Sequence, residues 1–538
     1  MPSFMGFLLV LPILGALGIV GLSFVPRLRS YSRYVALGVV ALLAVLTLLL
    51  RLGDPAEANP LSWTPSFLLG VTPLLASDHA VQPFAMAAVL GALSAILVDV
   101  GRGEENRPRF LAVVLGLIPL IFVSVWAATP LAMIIGWAGY DLLQMVGRLV
   151  TGGTARTAMR ELVFGSLATL MLWGGALAAD VEGNSALWSL MTPPGVPFVF
   201  WMIAAALRLW IYPLHLAAPQ EPGSEALNLA FLQGPIIGWG LCYRLTQADG
   251  GTLPGGMWVP ILAAITILLG GFLAWSCRSR RAAIPWVGMG GSGLVLLAAG
   301  LAGREAGAVI VTGGVAWILS VATLFLSDGL RKQALWWSIA PAVGSLAILG
   351  LPFTLGFGST ATMLGGLAIG YPLVWSTAFF FGMLFLVPAL YRGITEPASS
   401  PPPDDAGRKG AYLIGIGLPA VLLVMAGLYP PLLIAGRAIS LGAAFVRTGV
   451  AGWFLWVISL AIGGVLAWQD GNVRSRIDIL LAAVHDLLRL EWLYELLVGA
   501  IDRGLSALRA ADEVVEGAGA LLWAWVLFLL IMLVWSGG

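Results

Sequence analysis

Three ionisable side chains fall where apolar sequence surrounds them: Asp141, Arg208 and His215. Arg208 lies in the stretch AAALRLWIYPLHLAAPQEPGSEALNLAFLQGPIIGWGLCYR, Ala204 to Arg244, which breaks at Pro213 and passes through a loop holding Pro219 and Pro222 before turning apolar again. A cation and a broken helix are each costly inside a bilayer, so together they mark a candidate functional site. The chemistry on offer is protonic. A carboxylate or an imidazole can take and release a proton near neutrality, whereas a guanidinium stays charged and can only anchor. Asp141 with Arg208 is therefore either a pair that gates proton flow or a static buried ion pair fixing two helices, and the static reading is the expected one. His215, just after the break, either passes protons at the mouth of a path or is a solvated loop residue; solvation is the simpler expectation.

The elements that must position these residues are membrane helices. With 59% hydrophobic and 10% charged residues and a mean hydropathy of +0.95, most of the 538-residue chain belongs in lipid. The fold class is an all-α polytopic membrane protein. A net charge of +1 with dispersed basic residues gives no footprint for nucleic acid. Cys242 and Cys277 have neither disulfide-framework nor metal-ligand spacing, and no metal site is expected. The first residues, MPSFMGFLLVLPILGALGIVGLSFV, lack a basic leader and cleavage site and are expected to be a retained span.

Counting about twenty apolar residues per crossing gives about sixteen spans. They group as residues 1–108 with helices 1 to 3, 109–245 with helices 4 to 8, 256–391 with helices 9 to 13, 411–468 with helices 14 and 15, and a terminal anchor at 519–536. The fourth and fifth spans are divided at Pro130. Loops after odd-numbered spans carry Arg27, Arg29 and Arg33, then Arg102 and Arg107, then Arg148 and Arg156, then Arg278 and Arg281, then Arg331 and Lys332, then Arg408 and Lys409. The opposite loops carry Asp54, Glu57, Asp180, Glu182 and Asp249. The alternation supports the count and places both termini outside the cytoplasm; the membrane itself is expected to be a bacterial cytoplasmic (inner) membrane. Between the last two spans, residues 471–517 set Ile477, Leu480, Leu481, Val484, Leu487 and Leu488 at helical spacing against a charged face. Fully helical, that segment would reach roughly 70 Å and run laterally along neighbouring subunits; a short interfacial helix with a loop is the plainer alternative.

A second break is expected in GLPFTLGFGST, at Gly350, Pro352, Gly356 and Gly358. Broken helices 7 and 12, five spans apart, suit two inverted five-helix repeats, 109–245 and 256–391.

The proline-rich loop followed by GWGLCYR resembles the broken seventh and the eighth helices of the antiporter-like subunits of respiratory complex I (NADH:quinone oxidoreductase) and of multisubunit sodium/proton antiporters. GLPFTLGFGST is similar to their broken twelfth helix, LSVATLFLSDG to the end of their eleventh, and LEWLYELLVGAIDRG with ADEVVEG to the tail of the large subunit that carries a lateral helix. The resemblance implies proton movement through buried ionisable residues along the bilayer midplane. Most of those positions are substituted here. The fifth-helix Trp-Glu pair reads Trp137 and Ala138, with Asp141 three residues on; the seventh-helix lysine is Arg208. The eighth-helix lysine falls at Pro235, with Gln233 nearest in polarity; the eleventh-helix histidine and lysine read Trp317 and Val321, and the twelfth-helix lysine is Thr360. No Asp, Glu, His, Lys or Arg lies between Val309 and Leu326 or between Ala334 and Leu390, and Tyr371, whose phenol titrates near 10, is the one titratable group there.

The expected function is thus an antiporter-like membrane-arm subunit of a complex I-type proton-translocating assembly. Its role is either structural or an atypical conduction through Asp141, His215 and hydroxyls such as Thr312 and Ser320. The alternative is the same fold in a membrane-bound hydrogenase or an inorganic-carbon uptake complex. No catalytic residue and no cofactor motif is present, so redox chemistry is expected in other membrane subunits, which with the lipid are its partners. Arg160 and Glu161 are expected to snorkel to the interface, Trp336 and Trp337 to sit in an interfacial belt, and GMGGSG at 288–293 to permit close helix packing.

Overall fold

The structure, a computed structural model, describes residues 2–538 except 54, 59–71, 104–106, 186, 192–194, 219–233, 328, 331–334, 368–370, 399–404, 434–438, 497–498, 501–502, 504–505, 507–523, 530–531 and 533–538. Pro219, Pro222, Gln233, most of the predicted lateral segment beyond residue 496 and most of the last predicted span lie outside the described residues. The chain divides into two units, Met1–Asp478 and Ile479–Gly538.

In the first unit the helices are α1 (Pro2–Ser23), α2 (Ser32–Leu52), α3 (Gln82–Arg102), α4 (Pro108–Trp126), α5 (Pro130–Val150), α6 (Ala155–Val181), α7 (Val196–Arg208), α8 (Gly234–Ala248) and α9 (Trp258–Ser276). They continue as α10 (Arg280–Leu301), α11 (Ala306–Leu326), α12 (Ile339–Ile348), α13 (Gly356–Gly366), α14 (Pro372–Thr395), α15 (Ala406–Leu428) and α16 (Leu441–Leu488), of which the residues up to Asp478 belong to the first unit. Among the described residues eleven helices are long and apolar enough to cross a membrane, which makes the chain polytopic. Four other predicted spans fall on α5, α7, α8 and the α12–α13 pair, each of them charged, short or broken. One departure from all-helical structure is a short antiparallel pair, β1 (Ala56–Ala58) with β2 (Leu75–Ser77), whose Leu75 also bridges Ala127. It gives the loop backbone partners it would otherwise lack.

Pro130 does divide two helices: it opens α5 behind Thr129, whose hydroxyl accepts from the Ala132 amide. The seventh helix, by contrast, ends before its proline. Proline lacks an N–H and its ring collides with the carbonyl four residues back, which here belongs to Leu209. Accordingly α7 stops at Arg208, Trp210 turns to φ 59°, and a cis Tyr212–Pro213 bond leads into a short turn of 3₁₀ helix, His215–Ala217. The twelfth helix obeys the same rule. α12 ends at Ile348, four residues before Pro352, with Gly350 at φ 68° and Phe353 at φ 69°. Gly356 and Gly358, expected within the break, instead begin α13.

A break inside a bilayer leaves backbone groups that water cannot satisfy. Here the neighbouring helices supply partners: the Tyr212 amide donates to Thr266 Oγ1 at 3.2 Å, and the Leu355 amide to the Leu423 carbonyl at 2.9 Å. The Leu349 carbonyl accepts the Trp456 indole N–H at 3.0 Å.

α16 turns at Gly449 (φ 63°, ψ 165°), where the predicted fifteenth span begins, and does not stop at residue 468. It continues to Arg476, and Ile477 (φ −124°, ψ 15°) leaves the helical range. The physical reason is a clamp on the carbonyl end of α9. Arg474 donates to the Trp275, Ser276 and Cys277 carbonyls at 2.6–2.7 Å, and Arg392 to those of Ala274 and Trp275 at 3.1 Å. Asp470 accepts the Trp275 indole at 2.7 Å and faces Arg392 at 3.7 Å. Two cations thus meet the negative end of a helix dipole. In the second unit residues 491–496 are helical, and Arg489 pairs with Glu491 at 2.7 Å.

Trp337 departs from the interfacial expectation, being buried against Tyr412, whereas Trp336 is exposed. The core centres on α11, buried from Val309 to Ser327.

Replacing Trp456 by Phe keeps a ring but leaves the buried Leu349 carbonyl without its donor, and is expected to cost about 1–3 kcal/mol. A denaturation midpoint equal to that of the unmodified protein would show that the break finds another partner.

Candidate functional site

Arg208 is the last helical residue of α7, buried to 7% exposure, and its charge cannot be discharged. Asp141 on α5 meets it twice, at 2.7 Å and 2.8 Å, in a two-pronged pair. α6 completes the seat: Thr169 donates to Asp141 Oδ2 at 2.9 Å, while the Gly165 carbonyl lies 3.4 Å from the guanidinium. The flat face of the cation rests on the Trp137 ring at 4.7 Å, with Tyr140 at 5.8 Å. Two glycines make this approach possible. A Cβ on Gly165 would lie 2.4 Å from Asp141 Oδ1, and one on Gly238 of α8 would lie 2.8 Å from Arg208 Cβ.

A second buried pair stands beside the first. Glu161, expected at the interface, has a side chain only 7% exposed and bound to Arg148 at 2.8 Å and 3.0 Å, with Gln144 donating at 3.1 Å. Its neighbour Arg160 donates to the Leu216 carbonyl at 2.9 Å. Glu161 is drawn inward because α5 offers Asp141, Gln144 and Arg148 along one helical face and α6 answers with Glu161, Gly165 and Thr169 along another. Both runs are visible in the sequence at spacings of three and four, and reading them as faces would have found this pair. The two carboxylates and two guanidiniums balance in charge. A cavity of about 30 Å³ joins them, lined by Gln144, Arg148, Glu161, Arg208, Trp210 and Pro235 among others. At roughly 10–15 Å³ per water it has room for about two.

His215 is not a solvated loop residue. It is fully buried, stacked on Tyr212 at 5.1 Å and tilted against Trp286 at 5.1 Å. The proline-directed turn folds its ring back under the bundle. It does not line the cavity that Arg208 shares with Glu161.

The substituted positions fall as follows. Ala138 is half-buried on α5; Pro235, in the first turn of α8, lines the Arg208 cavity. Val321 is fully buried among apolar neighbours in α11. Thr360 on α13 lines a separate cavity of about 20 Å³ together with Ser359, whose buried hydroxyl has no partner among the described residues. The hydroxyl of Thr312 is turned back on its own helix, 2.8 Å from the Ala308 carbonyl, while that of Ser320 has no partner among the described residues.

Trp317 fills the centre between these regions. Its indole N–H donates to the Gly288 carbonyl at 2.6 Å, and its ring meets Trp210 edge to face at 5.6 Å and Trp239 at 6.5 Å. The GMGGSG run is where these rings find space. A Cβ on Gly288 would come within 3.1 Å of Trp210 and 3.4 Å of Trp317, and one on Gly291 within 2.8 Å of Trp317. Gly290 meanwhile packs against Gly270 of α9, backbone to backbone. Trp210 and Trp239 were not singled out by sequence, because an apolar aromatic in a membrane helix carries no signal of its own.

No family model matches the chain, and no curated protein matches it. Solved structures do. A chain of the Mrp complex from Dietzia sp. DQ12-45-1b aligns with a TM-score of 0.78 at 18% identity over 99% of this chain, and this chain spans only 62% of its length. A chain of the membrane-bound sulfane sulfur reductase, an archaeal respiratory membrane complex, aligns at 0.71 and 18% over 98% of this chain and 99% of its own. A chain of respiratory complex I from Thermus thermophilus with bound NADH gives 0.63 and 19% over 86% and 99%. At such identities the likeness establishes the fold alone, which this chain shares with chains of these three membrane complexes.

Asp141→Ala alone leaves the Arg208 charge buried and unpaired, at a cost of about 3–5 kcal/mol, whereas Asp141→Leu with Arg208→Met removes both charges and is expected to be close to neutral. Thermal denaturation of the two variants in detergent tests this, and equal losses would refute a static pair.

Proposed function

We propose that this chain is an antiporter-like membrane subunit of a complex I-type assembly, and that it serves there as a scaffold without an unbroken midplane proton relay. The observation that carries the reading is the character of the second half. From Val309 through Leu326, and again along α12 and α13, the buried side chains are apolar or hydroxylic. A relay must accept as well as donate protons near neutral pH, and an indole N–H only donates. In the first half, Asp141 with Arg208 and Glu161 with Arg148 are paired to neutrality. A carboxylate gripped by a guanidinium through an ion-pair contact at 2.7 Å and a hydrogen bond at 2.8 Å is held in one place, which suits a fixed joint better than a carrier.

In this reading the chain spans the membrane sixteen times, with 109–245 and 256–391 as inverted repeats broken at helices 7 and 12. Residues beyond 477 continue as the lateral element along neighbouring subunits, and both termini lie outside the cytoplasm of a bacterial inner membrane. Support comes from the two breaks, which share a proline, a helix end about four residues before it and an aromatic residue at positive φ. A second reading is favoured by the fold comparison. Agreement is higher with the Mrp and sulfane sulfur reductase chains than with the complex I chain, so the host assembly need not oxidise NADH.

The test is purification on a tag carried by this chain, followed by identification of what accompanies it and measurement of protons moved per turnover. Redox-active membrane partners are expected, and the Asp141→Leu/Arg208→Met complex should pump with an unchanged ratio. Recovery of the chain alone would sink the assembly reading, and a fall in the ratio would sink the scaffold reading.

A further inference from the structure

Four cavities of the first unit follow one another in the residues that α8 and α11 contribute to their walls. At one end lies the Arg148–Glu161 cavity, at the close of α5 and the start of α6. At the other end a crevice of about 860 Å³ reaches Tyr243 and Gln247 in the last turns of α8, and Ala308 and Val311 in the first turns of α11. α8 spans the gap, with Pro235 on the first cavity and Gln247 on the crevice, about 18 Å apart at the usual rise per residue. α11 can be read down from the crevice turn by turn. Ala308 belongs to the crevice and to a cavity of about 20 Å³ that Thr312 also lines. Gly313, Ala316 and Trp317 line the next cavity, also about 20 Å³, with Ser359 and Thr360. Each small cavity has room for about one or two waters.

Between that last cavity and the one holding Arg208 stand two rings. Trp317 lines the first and Trp210 the second, and they touch edge to face with centroids 5.6 Å apart. The helices are pinned around them by the Trp317 to Gly288 hydrogen bond, and Gly288 and Gly291 leave no spare volume.

We propose that the Trp210–Trp317 pair is a proton-tight seal dividing a transmembrane line of hydrated cavities into two blind compartments. One compartment is lined by the ionisable groups Arg208, Glu161 and Arg148, with Asp141 paired to Arg208 behind them; the other holds the hydroxyls of Thr312, Ser359 and Thr360. Proton hopping needs a continuous chain of groups that both accept and donate. Two indoles in contact exclude water, and neither can accept a proton. The one N–H of Trp317 is spent on a backbone carbonyl. This inference rests on the membrane-spanning scaffold reading above and adds to it the part that keeps the scaffold from leaking.

The complex purified on this chain, reconstituted into liposomes with a trapped pH-sensitive dye, is given a potassium diffusion potential without substrate. The passive proton flux is then read. Wild type and Trp317→Phe, which keeps an aromatic plug, should match protein-free vesicles. Trp317→Ala, with its partners still bound, should raise the flux at least about tenfold, the effect of removing little more than one tenfold step of barrier. An assembled Trp317→Ala complex as tight as wild type would overturn the seal. If that variant does not assemble, wild type decides: a resting flux that Asp141→Leu/Arg208→Met abolishes would mean that the line conducts already, and would overturn it too, while a tight wild type supports it. Absence of copurifying subunits would instead overturn the assembly reading and leave the leak readout standing.

Discussion

A guanidinium that cannot be discharged, placed inside a bilayer, dictates much of the first half of this molecule. The transfer of a bare charge into an apolar medium costs tens of kcal/mol by Born solvation, far more than the stability of any domain. Arg208 can be there only because three helices were shaped to receive it. α5 contributes the Asp141 carboxylate and the Trp137 face, α6 the Thr169 hydroxyl and a glycine at 165, and α8 a glycine at 238. Removing any one of these leaves the charge less compensated, so the packing of α5, α6, α7 and α8 follows from one side chain. A buried pair of this kind adds little net stability over an apolar substitute, but it selects one register of helices against others. Glu161 and Arg148 repeat the device nearer the helix ends.

The same accounting governs the two breaks. Each exposes backbone groups that the helix can no longer satisfy, and each is completed from a distant part of the chain: Thr266 at the first, Leu423 and Trp456 at the second. The second break thus ties α12 and α13 to α15 and α16. α16 is in turn bound to the carbonyl end of α9 by Arg474. Helices far apart in sequence are joined through backbone carbonyls and amides, which cannot titrate, and by charges already spent. Little in this arrangement is free to respond to a change in protonation.

How much of this could be read from sequence depended on whether the signal was local. Composition and periodicity gave the membrane class, because twenty apolar residues in a row have few other uses. Pro213 and Pro352 announced the broken helices, yet the breaks begin earlier than either proline, since the steric conflict lies four residues upstream. Asp141 and Arg208 were legible as a pair because each was a charge without a local excuse. Glu161 was not, because a charge at the start of a span reads as interfacial until the facing helix is known. His215 was misjudged for a related reason: a loop in sequence became a buried turn once Tyr212 and Trp286 closed over it. The seat of Trp317 was invisible, for it depends on Gly288 and Gly291 from α10 and Trp210 from the first break meeting in space.

An indole at position 317, buried between Trp210 and Trp239, has a consequence that a small residue there would not. Deleting the relay groups alone would leave a gap flanked by polar cavities, and such a gap can hold water. Water in file conducts protons whether or not a carboxylate stands beside it. A membrane potential of 100 mV supplies about 2.3 kcal/mol per charge, so a merely depleted path would still leak. Filling the space with Trp317 against Trp210 instead confronts a proton with apolar volume, where the desolvation cost of a charge is several-fold larger than that driving force. A seal of this kind would be a matter of volume as much as of charge. The glycines of α10 that make room for the rings contribute to it as directly as the rings do.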